Sequence, residues 1–222
     1  MRMLVVAAHP DDECLGCGAS LARFAAEGWE VQPLILGEGL ASRPGGATPQ
    51  ELERLKEQCR RACAVLGVRE PLFAGLPDNR FDTVPFLDIV QTIEAHLRAL
   101  RPERVLTHHG GDLNIDHALA CRAALAAARP LPGGVVREIW AFETPSSTEW
   151  FFGSGQAFEP DTFVDVGETL HLKLAAMECY ESEKRGFPHP RSGKALESIA
   201  RRWGAVAGLE AAEAFRLLRR LI

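Results

Sequence analysis

Met3-Leu4-Val5-Val6-Ala7-Ala8-His9-Pro10-Asp11-Asp12-Glu13 is the stretch whose reading decides the fold. Its six apolar residues read as a buried strand without a polar break. Four ionisable groups then follow within five residues, where a core strand normally ends in Gly, Asn or Ser. Pro10 fixes its own φ and pushes His9 towards extended geometry, so the strand ends there. Gly16 and Gly18 would permit a tight turn, and residues 19–27 have helical composition. The stretch reads as strand, acidic turn, helix. In an open α/β sheet such a turn lies at the carboxyl edge of the strands, where ligands bind.

The same alternation continues downstream. Residues 31–36, 70–74, 104–107, 135–142 and 162–166 read as strands. Residues 48–66 read as a helix opened by a capping box of Thr48 and Glu51. Further helices are expected over 85–100, 118–128 and 170–182, with two more, 194–207 and 211–220, closing the chain. Strands separated by helices of this length imply right-handed crossovers and an α/β fold with a mostly parallel central sheet. Polar clusters fall after successive strands: His9 to Glu13, Glu38, His108 to His117, and Thr144 to Trp150. Parallel strands bring all of these to one edge, which is the main argument for a catalytic site there.

Length and composition narrow the function. With 222 residues, one domain over 1–222 is expected. The net charge of −5 argues against nucleic-acid partners, which favour a basic surface. The first apolar run is too short for a signal peptide, and no run approaches about 18 apolar residues, so a cytoplasmic protein without a membrane partner is expected. Of the six cysteines, Cys14 and Cys17 form a lone C-x-x-C, while Cys59, Cys63, Cys121 and Cys179 sit in helical patterns as small apolar residues. A cysteine-based metal site or disulfide framework is disfavoured.

His9, Asp12 and the distant His117 are two imidazoles and one carboxylate at one sheet edge. That set suits a catalytic metal that keeps one position for water. It suits zinc, and iron(II) fits the same ligands. Asp11, beside a ligand, is able to act as general base. The bland reading, in which Asp11 and Asp12 only cap the helix, loses weight because His9 and His117 share their edge. Glu13 reads as structural. At most one of His108 and His109 can face the site, because alternate side chains point to opposite faces. Asp116 could cap a helix or orient a histidine. Arg43, Arg80 and Arg191 could bind anionic or hydroxyl-rich groups, Trp150 could stack on a sugar face, and His189 could reach the site as an acid.

At these residues the chain resembles the PIG-L, or LmbE-like, family of zinc-dependent N-deacetylases. The resemblance is carried by Ala8-His9-Pro10-Asp11-Asp12-Glu13 and by Asp116-His117, and it extends along nearly the whole chain. It implies a Rossmann-like three-layer sandwich, zinc on His9, Asp12 and His117, and Asp11 as general base. It implies hydrolysis of an N-acetyl group, commonly from an N-acetylglucosamine unit. One position departs from the family pattern: Asn114 stands where the family usually carries a histidine three residues before the last ligand. Asn114 can donate a hydrogen bond to an oxyanion but cannot transfer a proton. His109, His108 or His189 is then expected to supply that function, or Asp11 serves as both base and acid.

The expected activity is metal-dependent removal of an acetyl group from a small amino-sugar molecule. An amidase acting on a thiol conjugate or peptide-like amide is the alternative. A non-catalytic nucleotide-binding module is disfavoured, since Gly16 and Gly18 lack the third glycine of the G-x-G-x-x-G turn. A homo-oligomer is left open by the apolar C-terminal segments.

Overall fold

The computed structural model describes residues 1–40, 42, 45–152 and 156–222. Seven strands form one mixed sheet: β1 (Arg2–Ala7), β2 (Glu30–Gly37), β3 (Leu72–Leu76), β4 (Arg104–His108), β5 (Glu138–Phe142), β6 (Thr162–Asp165) and β7 (Ala212–Arg220). Their order is β3-β2-β1-β4-β5-β7-β6. The first five strands are parallel, and β7 runs antiparallel between β5 and β6. Six α-helices cover the two faces: α1 (Asp12–Ala26), α2 (Pro49–Leu66), α3 (Phe86–Leu100), α4 (Ile115–Ala127), α5 (Leu170–Glu178) and α6 (Gly193–Ala207).

The alternation of β1 builds the three layers. Leu4 and Val6 point to one face and pack with Ile89 and Ile93 of α3 and Ala120 and Ala124 of α4. Met3 and Val5 point to the other face, against Cys17 and Leu21 of α1. Ala7 continues that face against Leu55 and Cys59 of α2 and Ala176 of α5. With both faces covered, β1 has no polar side to show, which is why its sequence is an unbroken apolar run. No helix among the described residues is long and apolar enough to cross a membrane.

Three expectations are corrected. Gly16 and Gly18 do not make a turn, because α1 begins at Asp12 and runs through both. A Cβ on Gly16 would overlap the Phe142 ring, so this glycine serves the close approach of α1 to β5. Residues 212–220 form strand β7, not a final helix. Their Ala, Leu and Arg content favours a helix, but the sheet offers two pairing partners, and the strand carries Glu213 beneath α1. There Glu213 accepts from the Ala19 and Ser20 N–H groups (3.2 and 2.6 Å) and pairs with Lys173 Nζ at 2.6 Å. Helix α4 begins at Ile115, ahead of the expected 118, because the Asn114 side chain caps it by accepting from the Asp116 N–H at 2.8 Å.

Candidate active site

The turn after β1 is held from several directions. The His9 N–H donates to Asp12 Oδ2 at 2.8 Å, and the Asp11 N–H donates to Glu13 Oε2 at 3.1 Å. Asp11 has φ 107°, a left-handed conformation that costs a non-glycine residue about 1–3 kcal/mol and is concentrated at functional sites. It occupies the N-cap position of α1, yet its side chain caps nothing. Its Oδ2 instead accepts from Arg191 Nη1 at 2.7 Å. Glu13 is fully buried, and Tyr180 donates its hydroxyl proton to Oε1.

His9, Asp12 and His117 converge, each buried, with one donor atom apiece lying within 4.8 Å of the others. His9 Nδ1 and His117 Nε2 lie 3.5 and 3.3 Å from the same oxygen, Asp12 Oδ2. Four-coordinate zinc with bonds of about 2.0–2.1 Å would separate its ligands by about 3.3–3.4 Å, so the donor set fits such an ion in type and spacing. The outward nitrogens are also held by carboxylates. His9 Nε2 bonds Asp116 Oδ2 at 2.9 Å and lies 3.2 Å from Asp78 Oδ1. His117 Nδ1 lies 3.1 Å from Asp112 Oδ1, in ion-pair range but poorly aimed for a hydrogen bond. Outer carboxylates of this kind turn the free nitrogens of metal-binding histidines inward.

The cluster is electrostatically coupled. Burial would lift the Asp12 carboxyl, but the charge of His117 and hydrogen bonds from His117 and His9 hold it well below the carboxylate range. Burial pushes the Asp11 carboxyl up to about 8 while Arg191 pulls against it, and Asp12, Glu183 and Glu13 add to the rise. Above the turn lies a cavity of about 200 Å³, lined among others by Asp11, Asp78, Asn79, Asn114, Ser146 and Arg191.

A model of the family described as PIG-L, GlcNAc-PI de-N-acetylase, matches residues 4–128, more than half of the chain. The chain belongs to the PIG-L family. It is 31% identical to the uncharacterized deacetylase YaiS of Escherichia coli K12, over 81% of this chain and 90% of that protein. It is 28% identical to 1D-myo-inositol 2-acetamido-2-deoxy-alpha-D-glucopyranoside deacetylase 1 of Saccharopolyspora erythraea, over 82% of this chain and 77% of the relative. Among solved structures, GalB, the 4-carboxy-2-hydroxymuconate hydratase of Pseudomonas putida KT2440, superposes with a TM-score of 0.81 at 23% identity, covering 100% of this chain and 97% of its own. That last likeness is one of fold alone. A hydratase on the same scaffold means that the reaction must be argued from the side chains.

Against the PIG-L pattern, the replacement at Asn114 faces the cavity, and its Nδ2 donates to Asn79 Oδ1 at 3.0 Å. None of the three histidines expected to compensate lines that cavity. His108 is fully buried: Nε2 accepts from the Ala8 N–H at 2.9 Å, and Nδ1 lies 3.0 Å from Thr144 Oγ1. Burial and neighbouring His117 bring it down to about 3, so it is a neutral ring stacked on His117 with both nitrogens occupied. His109 is tied through Nε2 to the Gln156 carbonyl at 2.7 Å. His189 accepts from the Arg191 N–H through Nδ1 at 3.1 Å and sits edge-on to Trp150, whose own side is 40% exposed. Trp150 and Arg80 also stay outside the cavity lining. Arg43 lies outside the described residues.

Of the two arginines singled out from sequence that lie among the described residues, Arg191 lines the cavity and Arg80 does not. Asp112 lies in a polar run singled out from sequence but is given no role there, and Glu183 and Tyr180 are not singled out. Asp112 had a local signal, since it sits five residues before His117 in a run without apolar periodicity. Tyr180 had none, because its contact with Glu13 crosses from a distant chain segment, and Glu183 meets Arg191 only through the fold of the loop between them.

Proposed function

We propose that this chain is a zinc-dependent N-deacetylase that releases acetate from an N-acetylglucosamine-like sugar or its conjugate. The observation that carries the reading is the meeting of His9 Nδ1, His117 Nε2 and Asp12 Oδ2 beside the Asp11 carboxylate, which is not used as a helix cap. Zinc held by His9, Asp12 and His117 would supply Lewis acidity and bring the pKa of water to about 7, and iron(II) suits the same donors. Asp11 accepts the proton of the attacking water. Its carboxyl, lifted towards neutrality by burial, is matched to holding that proton and returning it to the departing amine. Arg191 fixes the direction of the Asp11 carboxylate through the 2.7 Å contact. The Asn114 amide faces the cavity with one N–H left beside the one given to Asn79, a donor for a developing oxyanion, and since it has no proton to transfer, Asp11 serves as base and acid in turn.

The cavity also bears on substrate. At about 200 Å³ it is smaller than a typical drug-sized pocket of 300–1,000 Å³, which favours a single sugar ring. Hydroxyls of Ser42, Ser146 and Ser147 and the amide of Asn79 match sugar hydroxyls in both donor and acceptor character. The deacetylase named for Saccharopolyspora erythraea acts, by its name, on such an acetamido sugar. The test is acetate release from a panel of N-acetylated sugars by the wild type and Asp11→Asn. Loss of the base should lower turnover by about 100- to 10,000-fold, with metal content unchanged. Equal turnover in the variant would remove Asp11 from the mechanism.

A further inference from the structure

The opposite edge of the sheet, where β4 and β5 begin and β7 ends, carries a second cavity of about 520 Å³. Its lining comes from the ends of α3 and α4, the 129–137 loop and Leu221. Arg98, Arg101, Arg129 and Arg137 all line it, against a single carboxylate, Glu94, in a chain whose net charge is −5. Glu94 is shared by Arg98 at 3.6 Å and Arg129 at 3.5 Å. Arg101 and Arg137 have no carboxylate partner among the described residues. Leu97, Leu131, Val136 and Leu221 give the same cavity an apolar wall.

The bland explanation is that these arginines answer the negative ends of two helices. Two C-termini contribute about one negative charge together. With Glu94 included, an excess of about two positive charges is left. Two of the carbonyls there, one at the α4 end and one in the following loop, are already taken. Arg219 donates through Nη1 to the Ala128 carbonyl at 2.5 Å and through Nη2 to the Val136 carbonyl at 3.1 Å. The helix ends and Glu94 together therefore leave the charge of Arg101 and Arg137 unbalanced.

We infer that this amino-edge cavity binds a phosphate monoester carrying an apolar body. Two guanidinium groups without carboxylates suit a dianionic head that accepts paired hydrogen bonds. The leucine and valine wall suits the body, and the volume falls within the usual range for small-molecule sites. The length of β4 separates this cavity from the catalytic turn by roughly 13–16 Å, so its ligand is not the group being hydrolysed. The inference stands independently of the deacetylase reading.

The experiment is calorimetric titration of the full chain with hexyl phosphate, inorganic phosphate and hexanol. Hexyl phosphate should saturate one site, hexanol should give no binding heat, and inorganic phosphate should bind at least about tenfold more weakly. The Arg101→Gln/Arg137→Gln variant should lose at least about tenfold in hexyl phosphate affinity at an unchanged melting temperature, and each single variant should lose part of it. Asp11→Asn should bind hexyl phosphate as the wild type does. No saturable binding, or equal binding by the double variant, would overturn the site. Adsorption to phosphatidic acid vesicles without hexyl phosphate binding would assign the arginines to a lipid surface instead, and would equally overturn it.

Discussion

The turn after β1 and the loops that rim it are built to different rules. His9, Asp12 and His117 are buried, and each meets at least two other polar side chains of the cluster. Trp150, His189 and Arg80 stand at or near the surface, and among the described residues none of their side chains pairs with a carboxylate or with a side chain of the turn. Displacing a residue of the turn strands several buried polar groups, each costly to leave unpaired. Displacing a rim residue exposes little. The contrast teaches that position is over-determined at the turn, where the proposed chemistry is placed, and not at the rim.

The contrast can be broken at its foundation. Lys173 and Glu213 lock α1 to α5 and β7 from below, with Lys173 also donating to the Leu15 carbonyl at 2.8 Å. Lys173→Met leaves the buried Glu213 without its cation, and urea unfolding should show a loss of about 3–5 kcal/mol. Restoring much of that loss with Lys173→Met/Glu213→Gln would identify the stranded charge as its cause. An unchanged midpoint in the single variant would show that the turn does not depend on this lock.

Next in size is the outer carboxylate of His117. Asp112 also accepts from Ser147 Oγ, from Thr148 Oγ1 at 2.5 Å and from the Asn114 N–H at 2.8 Å, so it ties the 145–150 loop to the ligand ring. Asp112→Asn should weaken metal binding by about 10- to 100-fold in a competition assay with a chelator. Wild-type affinity would show that His117 is aimed by packing against His108 alone.

The smallest effect is expected at the rim. Trp150→Ala should change stability by less than about 0.5 kcal/mol. It should leave kcat unchanged while raising KM for sugar substrates. A collapse in kcat would move Trp150 into the reacting site and erase the distinction between turn and rim.

Which parts were legible in the sequence follows the same division. The turn was readable because an apolar strand running into His9, Asp11 and Asp12 has few structural explanations, and because parallel topology carries His117 to the same edge. Strand β7 was not, since the residues 212–220 have helical composition and become a strand only through partners more than 40 residues away in sequence. The role of Gly16 was misread for a similar reason: only the position of Phe142 shows that it serves packing. At the rim, an exposed arginine, tryptophan or histidine looks alike from sequence whether or not it faces the cavity, and so Arg191 could not be told from Arg80.

The central claim is that His9, Asp12 and His117 hold one metal ion beside Asp11. Elemental analysis of the purified wild type alongside His117→Ala tests it most directly. The account predicts about one zinc or iron per folded chain in the wild type, lost in the variant together with acetate release. A wild type that stays metal-free after reconstitution, or a variant that keeps its full metal content, would contradict it.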